Sequence, residues 1–248
     1  MKGHESRWLI AVGVASVLSA GALAGPTTAL RIDANSSLGS GYFEVTLDDG
    51  VTLPDGSFFW SLGAPVTITD TNSGMSIATL SFGSIMLGAS GVVSHSFVVQ
   101  AGNAATNFAL GSGLVNLGPI ANPYGRASSG ITLTDTNGDG ANLTGNFAGG
   151  TMFEAFYDAG AVFANLLTGP FGFATPFDSK AMSDEYPAGA GNFAAFTGPA
   201  SQIGIHWDFL LSANDSAGGT SVFVVIPTPA AATMLLAGFG VMTSRRRR

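Results

Sequence analysis

The chain has 248 residues, with nine Lys or Arg, sixteen Asp or Glu and no Cys, so disulfide frameworks, thiolate metal sites and cysteine nucleophiles are excluded together. Six of the nine basic residues lie in the two terminal segments, and residues 25–225 hold only Arg31, Arg126 and Lys180 against fifteen carboxylates, a balance of −12. Such a surface repels phosphate backbones and argues against nucleic acid as a partner, while it suits cations, neutral glycans or solubility outside a cell.

Lys2 and Arg7 open the chain with positive charge, and the apolar run from Trp8 to Ala24 ends in small residues. Ala22-Leu23-Ala24 fits an A-x-A cleavage pattern with Gly25-Pro26 just after it, so residues 1–24 read as a signal peptide addressed to the Sec machinery. The mature chain is expected to begin near Gly25. An uncleaved anchor is the other reading of the same run, which is short for a membrane span.

Residues 25–225 are rich in Gly, Ser, Thr, Asn and Phe, with strand-length apolar runs separated by turn residues. That pattern predicts one all-β domain, an antiparallel β-sandwich of jelly-roll type, large enough to be stable without covalent staples. Phe43, Val45 and Leu47 alternate with Glu44, Thr46 and Asp48, and Val93, Phe97 and Val99 share a face with His95. Trp60 is a candidate for stacking on a sugar ring.

Two stretches look like copies of one hairpin: VTITDTNSGMSIATLSF from Val66 and ITLTDTNGDGANLTGNF from Ile131. Each places Asp-Thr-Asn and then Gly after a β-branched strand, as tight turns with positive φ require. The second copy contains Asp135-Thr-Asn137-Gly-Asp139-Gly140, the opening of a calcium loop, in which alternate oxygen ligands converge on one hard cation. Asp135, Asn137 and Asp139 are therefore candidate Ca²⁺ ligands. Position twelve of that loop is Asn146 instead of the bidentate Glu, and Asp70-Thr-Asn72-Ser-Gly74 in the first copy lacks the second Asp, so a plain turn is the competing reading.

From Thr168 to Ser201 alternation is lost among Pro170, Pro176, Pro187, Pro199 and many Gly and Phe residues, which predicts a long surface connection. Phe171, Phe173, Phe177, Tyr186, Phe193 and Phe196 either line a contact surface there or tuck the connection onto the sandwich. Alternation returns at Ile203, Ile205, Trp207, Phe209 and Leu211, with His206, Asp208 and Ser212 on the opposite face, so Trp207 is expected in the core.

No catalytic constellation emerges. His95 and His206 sit on separate strands without metal-ligand spacing, and no G-x-S-x-G frames a serine. Glu44, Glu154 and Glu185 are the glutamates of residues 25–225, and a glycosidase pair needs two carboxyls roughly 5–9 Å apart.

After Ser221 a strand-like run leads into Ile226-Pro227-Thr228-Pro229, then fifteen uncharged residues from Ala230 to Ser244, then Arg245, Arg246, Arg247 and Arg248. Fifteen helical residues span only ~22 Å, less than the ~30 Å hydrocarbon core, and the arginines prefer the cytoplasmic side. This order of parts resembles the PEP-CTERM sorting signal of bacterial surface proteins, with Pro227 and Pro229 as the two prolines and Thr228 in the place of Glu. The resemblance covers residues 226–248 and implies processing by an exosortase-like enzyme, a temporary hold on the membrane through the apolar helix, and a host that makes extracellular polysaccharide. Plain tail anchoring is the other reading. The expected function is a non-enzymatic cell-envelope or extracellular-matrix protein of structural or adhesive type, at the cell surface. A carbohydrate-binding module or glycan-active enzyme on the same scaffold is the alternative.

Overall fold

The computed structural model describes residues 28–228, apart from Ala159. The signal segment with Ala22, Ala24 and Gly25, the apolar tail helix, Pro229 and Arg245–Arg248 lie outside the described residues. Among the described residues no helix is long and apolar enough to cross a membrane.

The described chain is all-β, and its strands form two antiparallel sheets. In chain order they begin with β1 (Thr28–Ser36), β2 (Gly39–Thr46), β3 (Val51–Thr52), β4 (Phe58–Ser61), β5 (Val66–Thr69) and β6 (Ser76–Gly88). Then come β7 (Val92–Ala101), β8 (Thr106–Ser112), β9 (Val115–Ile120), β10 (Pro123–Thr134), β11 (Ala141–Gly145) and β12 (Thr151–Tyr157). The last third holds β13 (Ala161–Thr168), β14 (Phe171–Phe173), β15 (Ser179–Tyr186), β16 (Ala194–Ala195), β17 (Ala200–Leu211) and β18 (Ser216–Pro227).

The first sheet runs β13-β12-β17-β8-β1-β2, with β9, β11 and β14 attached at its margins. The second runs β15-β10-β18-β7-β6-β4-β3, with β16 and β5 attached. Period-two alternation explains why both sheets form. Ile203, Ile205, Trp207, Phe209 and Leu211 are all fully buried, and so are Val93, His95, Phe97 and Val99 on β7.

These inward faces meet in one core. Phe97 of the second sheet packs edge-on to Trp207 of the first, with ring centroids 5.2 Å apart, and lies stacked 6.0 Å from Phe209. Near the other end of the core, Phe163 on β13 stacks on Phe223 of β18 at 5.2 Å. The indole Nε1–H of Trp207 donates to Ser221 Oγ at 3.2 Å across the core, so its one polar atom is satisfied where water cannot reach.

Three expectations change. Leu47, expected to face inward, is exposed because β2 stops at Thr46, where Asp49 N–H donates to the Thr46 carbonyl and turns the chain. The stretch from Thr168 to Ser201 is not a bare connection, since it supplies β14, β15 and β16. β15 escapes the alternation test because it ends its sheet, pairing on one side with β10 and leaving most of its residues exposed, so neither face needed to be apolar. The two hairpin-like copies also diverge. The first is a hairpin, β5 paired with β6, whereas the second carries the chain from β10 in one sheet to β11 in the other.

Candidate functional site

That crossing loop, residues 135–140, is where the candidate ligands lie. Asp135 is buried at the end of β10, and its carboxylate organises the whole turn. Asn137 and Gly138 donate their N–H groups to Oδ1 at 3.1 and 2.8 Å, and Gly140 and Phe177 donate to Oδ2 at 3.1 and 2.9 Å. Burial pulls its pKa up, but the four N–H donors outweigh burial and hold it below the usual carboxylate range. Gly138 and Gly140 both have positive φ, which lets their N–H groups turn inward toward one carboxylate.

The turn between β17 and β18 brings a third carboxylate to the same place. One carboxylate oxygen from each of Asp135, Asp139 and Asp215 falls within 4.8 Å of the others. Asp215 is fully buried. It accepts a hydrogen bond from Ser212 Oγ and a long one, 3.4 Å, from the Thr136 N–H. Its pKa is raised, first by burial and also by the charges of Asp135 and Asp139, against the hydrogen bond from Ser212. Asp139 is exposed. Three carboxylates so close repel one another when ionised, and a hard divalent cation such as Ca²⁺ between them would relieve that repulsion.

Of the three ligands expected from the sequence, the structure brings Asp135 and Asp139 together but gives Asn137 another task. Its side-chain oxygen accepts the Asp139 N–H at 3.2 Å and tightens the turn. Asp215 was missed because it lies far along the chain from Asp135, and its only local signal is a turn sequence, Asn214-Asp215, between two apolar strands.

The cousin turn at Asp70 separates the structural role from the metal role. Asp70 accepts from Ser73 Oγ at 2.7 Å and from the N–H groups of Ser40, Ser73 and Asn72 at 2.9, 2.7 and 3.2 Å. These donors, Ser73 Oγ first, lower its pKa to about 2. Asp70 belongs to no such cluster of three among the described residues.

Trp60 lies on β4, half-buried at the core margin, with its ring 5.8 Å from that of Phe43 and against Gly83. His95 is buried in the core while His206 faces the outside of the other sheet, so the two histidines share no site. Glu154 and His206 stand opposite each other on β12 and β17, and burial raises the pKa of Glu154 and lowers that of His206. Glu44 on β2 lies four strand spacings from Glu154, roughly 19 Å at ~4.8 Å per strand. Glu185 belongs to the other sheet, where it pairs with Arg126. The three glutamates are thus not brought together.

The aromatics of residues 168–201 divide. Phe171, Phe173 and Phe196 pack against the core, with Phe196 4.6 Å from Phe163 and 4.7 Å from Tyr157, whereas Phe177 is 72% exposed. Pro227 closes β18 opposite Pro123, and the Thr228 hydroxyl donates to the Asn122 carbonyl.

No family model matches this chain, and no curated protein matches it. Among solved structures, the enzymatically active domain of tailspike protein 4 of bacteriophage CBA120 is 13% identical with a TM-score of 0.23, over 68% of this chain and 19% of that one. The chain therefore spans less than a fifth of that protein's length. The structure of infectious bursal disease virus Gt strain is 13% identical with a TM-score of 0.14, over 84% and 68% of the two chains. The VP2 subviral particle of the same virus is 11% identical with a TM-score of 0.13, over 90% and 75%. Likenesses this weak carry no argument about function.

Proposed function

We propose that this chain is an exported cell-envelope or extracellular-matrix protein of structural or adhesive type, a jelly-roll-like β-sandwich ectodomain sorted through its C-terminal tail. The observation that carries the reading is the order of segments at the two ends. A basic start, an apolar run and an A-x-A site stand at one end, and Pro227-Thr228-Pro229, an apolar stretch and four arginines stand at the other. β18 lies inside its sheet, paired with β7 as far as Val224 and with β10 as far as Pro227, so the proposed tail would follow a central strand. Pulling on the tail would load that central strand.

Mapping the mature termini in the native host tests the reading, and a product that keeps both Met1 and Arg248 overturns it. Ca²⁺ is the cation proposed for Asp135, Asp139 and Asp215, as a structural tie across the two sheets. The glycan-binding alternative draws on Trp60. Specific binding on a glycan array that disappears in Trp60→Ala would favour it over a purely structural role.

A further inference from the structure

The two outward faces of this molecule differ in kind. The first sheet presents Arg31, Asp33, Glu44, Glu154, His206 and Asp208. The second, across six strands from β15 to β4, presents only Arg126 and Glu185 as charged groups, and these pair with each other at one corner. In a domain with a balance of −12, a nearly uncharged sheet face of this size is a surface that a second acidic molecule can approach without strong repulsion.

We infer that this face is where two copies of the chain associate. Its relief is self-complementary. Large exposed side chains stand on β4 and β6, namely Phe59, Phe82 and Met86, at 44%, 43% and 36% exposure. Toward β10 and β15 the surface falls into a trough of about 580 Å³ over small residues such as Ser96, Ser128, Gly130 and Ser183, continued by a hollow of about 410 Å³ beside Gly218 and Thr132.

The strand register shows how ridge and trough fit. One row across the sheet reads Glu185, Ser128, Val222, Ser94, Met86, Phe59. The next reads Ser183, Gly130, Thr220, Ser96, Ser84, Ser61, and the third reads Ala181, Thr132, Gly218, Val98, Phe82. A two-fold axis parallel to the strands, between β18 and β7, lays each row on its own reverse, as an isologous contact requires. Met86 then meets Ser128, Val222 meets Ser94, Val98 meets Gly218, and Phe82 meets Thr132. Met86, Val222, Val98 and Phe82 each face a small residue, while Phe59, at the end of the first row, falls opposite Glu185, whose carboxylate is held by Arg126.

Six strands at ~4.8 Å by ten residues at ~3.3 Å outline roughly 950 Å² per copy, enough to hold the ~800 Å² per partner of a standard stable interface. The same axis keeps both copies of β18 pointing the same way, so that two tails would enter one membrane. That choice of axis rests on the proposed tail, whereas the charge and size arguments for the contact do not.

The test is sedimentation equilibrium of the full chain in density-matched detergent, from about 1 to 100 µM. The expected result is a dimer that Met86→Lys or Ser128→Glu weakens by about a hundredfold, through an unpaired charge at the contact. The double variant regains it, because the two positions lie three strands apart within one copy and can pair only between copies. Leu210→Arg, on the other sheet's outer face, leaves the dimer unchanged. A monomer throughout, including one that binds neutral polysaccharide on this face, overturns the inference. So does a dimer that both single variants leave intact, as tail association alone would give, or a double variant that stays monomeric. None of these outcomes depends on whether the tail is cleaved.

Discussion

Replacing His95 with Leu should remove much of the protein's sensitivity to mild acid. His95 is 1% exposed, stands between Ile85 on β6 and Ser221 on β18, and its Nε2 has no hydrogen-bond partner. Burial alone pushes its pKa down to about 3 from an ordinary 6.5. Above pH 6.5 the imidazole is neutral in both folded and unfolded chains and contributes nothing to pH dependence. Between pH 6.5 and 3 the unfolded chain takes up a proton that the folded chain refuses, so stability falls by about 1.4 kcal/mol per pH unit. The loss reaches about 3 kcal/mol at pH 4.5.

Urea unfolding of wild type and His95→Leu at pH 7.5, 6.5, 5.5 and 4.5 reads the effect directly. At pH 7.5 the variant should be as stable as wild type or about 1 kcal/mol more stable, since the substitution removes an unsatisfied buried polar atom. The gap should then widen in the variant's favour by about 1.4 kcal/mol for each unit below 6.5. His206, whose pKa is also lowered, and the hydrogen-bonded carboxylates Asp70 and Asp158 titrate in both proteins and cancel in the difference. Parallel pH curves for the two proteins would refute the reasoning.

Gly39→Ala should destabilise the fold by about 1–3 kcal/mol, because Gly39 has φ +136° and an added Cβ would lie 2.3 Å from Asp70 Oδ1; denaturant unfolding measures it. Trp207→Ala, which empties the meeting point of Phe97 and Phe153 and strands Ser221 Oγ, should cost about 3–5 kcal/mol in the same assay. Millimolar Ca²⁺ should raise the melting temperature of wild type and not of Asp139→Ala, whereas equal shifts in both would remove Asp139 from the site. Asp135→Ala, which leaves four backbone N–H groups without their acceptor, should lower the melting temperature even in chelator, more than Asp139→Ala does.

Local periodicity made the centre of each sheet legible. Residues 203–211 alternate because β17 has one face in the core and one outside, and Val93 to Val99 do the same on β7. Where a strand is mostly exposed the signal vanishes, as in β15, where Met182 alone packs against the core and Lys180 and Asp184 share its face. The two Asp-Thr-Asn stretches read alike because the local chemistry is alike: in each, an Asp carboxylate gathers the N–H groups of the next residues. Their destinations differ through distant contacts, Ser40 reaching Asp70 in one and Phe177 reaching Asp135 in the other, and no local pattern encodes these. Asp215 was hidden for the same reason. The carboxylate that completes the cluster arrives from a turn between two later strands, and only the register of β10 against β18 sets it beside Asp135.

The account's central claim concerns the ends of the chain, and intact-mass spectrometry of the protein purified from its host tests it most directly. The predicted product begins near Gly25 and has lost the arginine cluster Arg245–Arg248. A product that still begins at Met1 and ends at Arg248 would contradict both signal-peptide cleavage and processing of the tail.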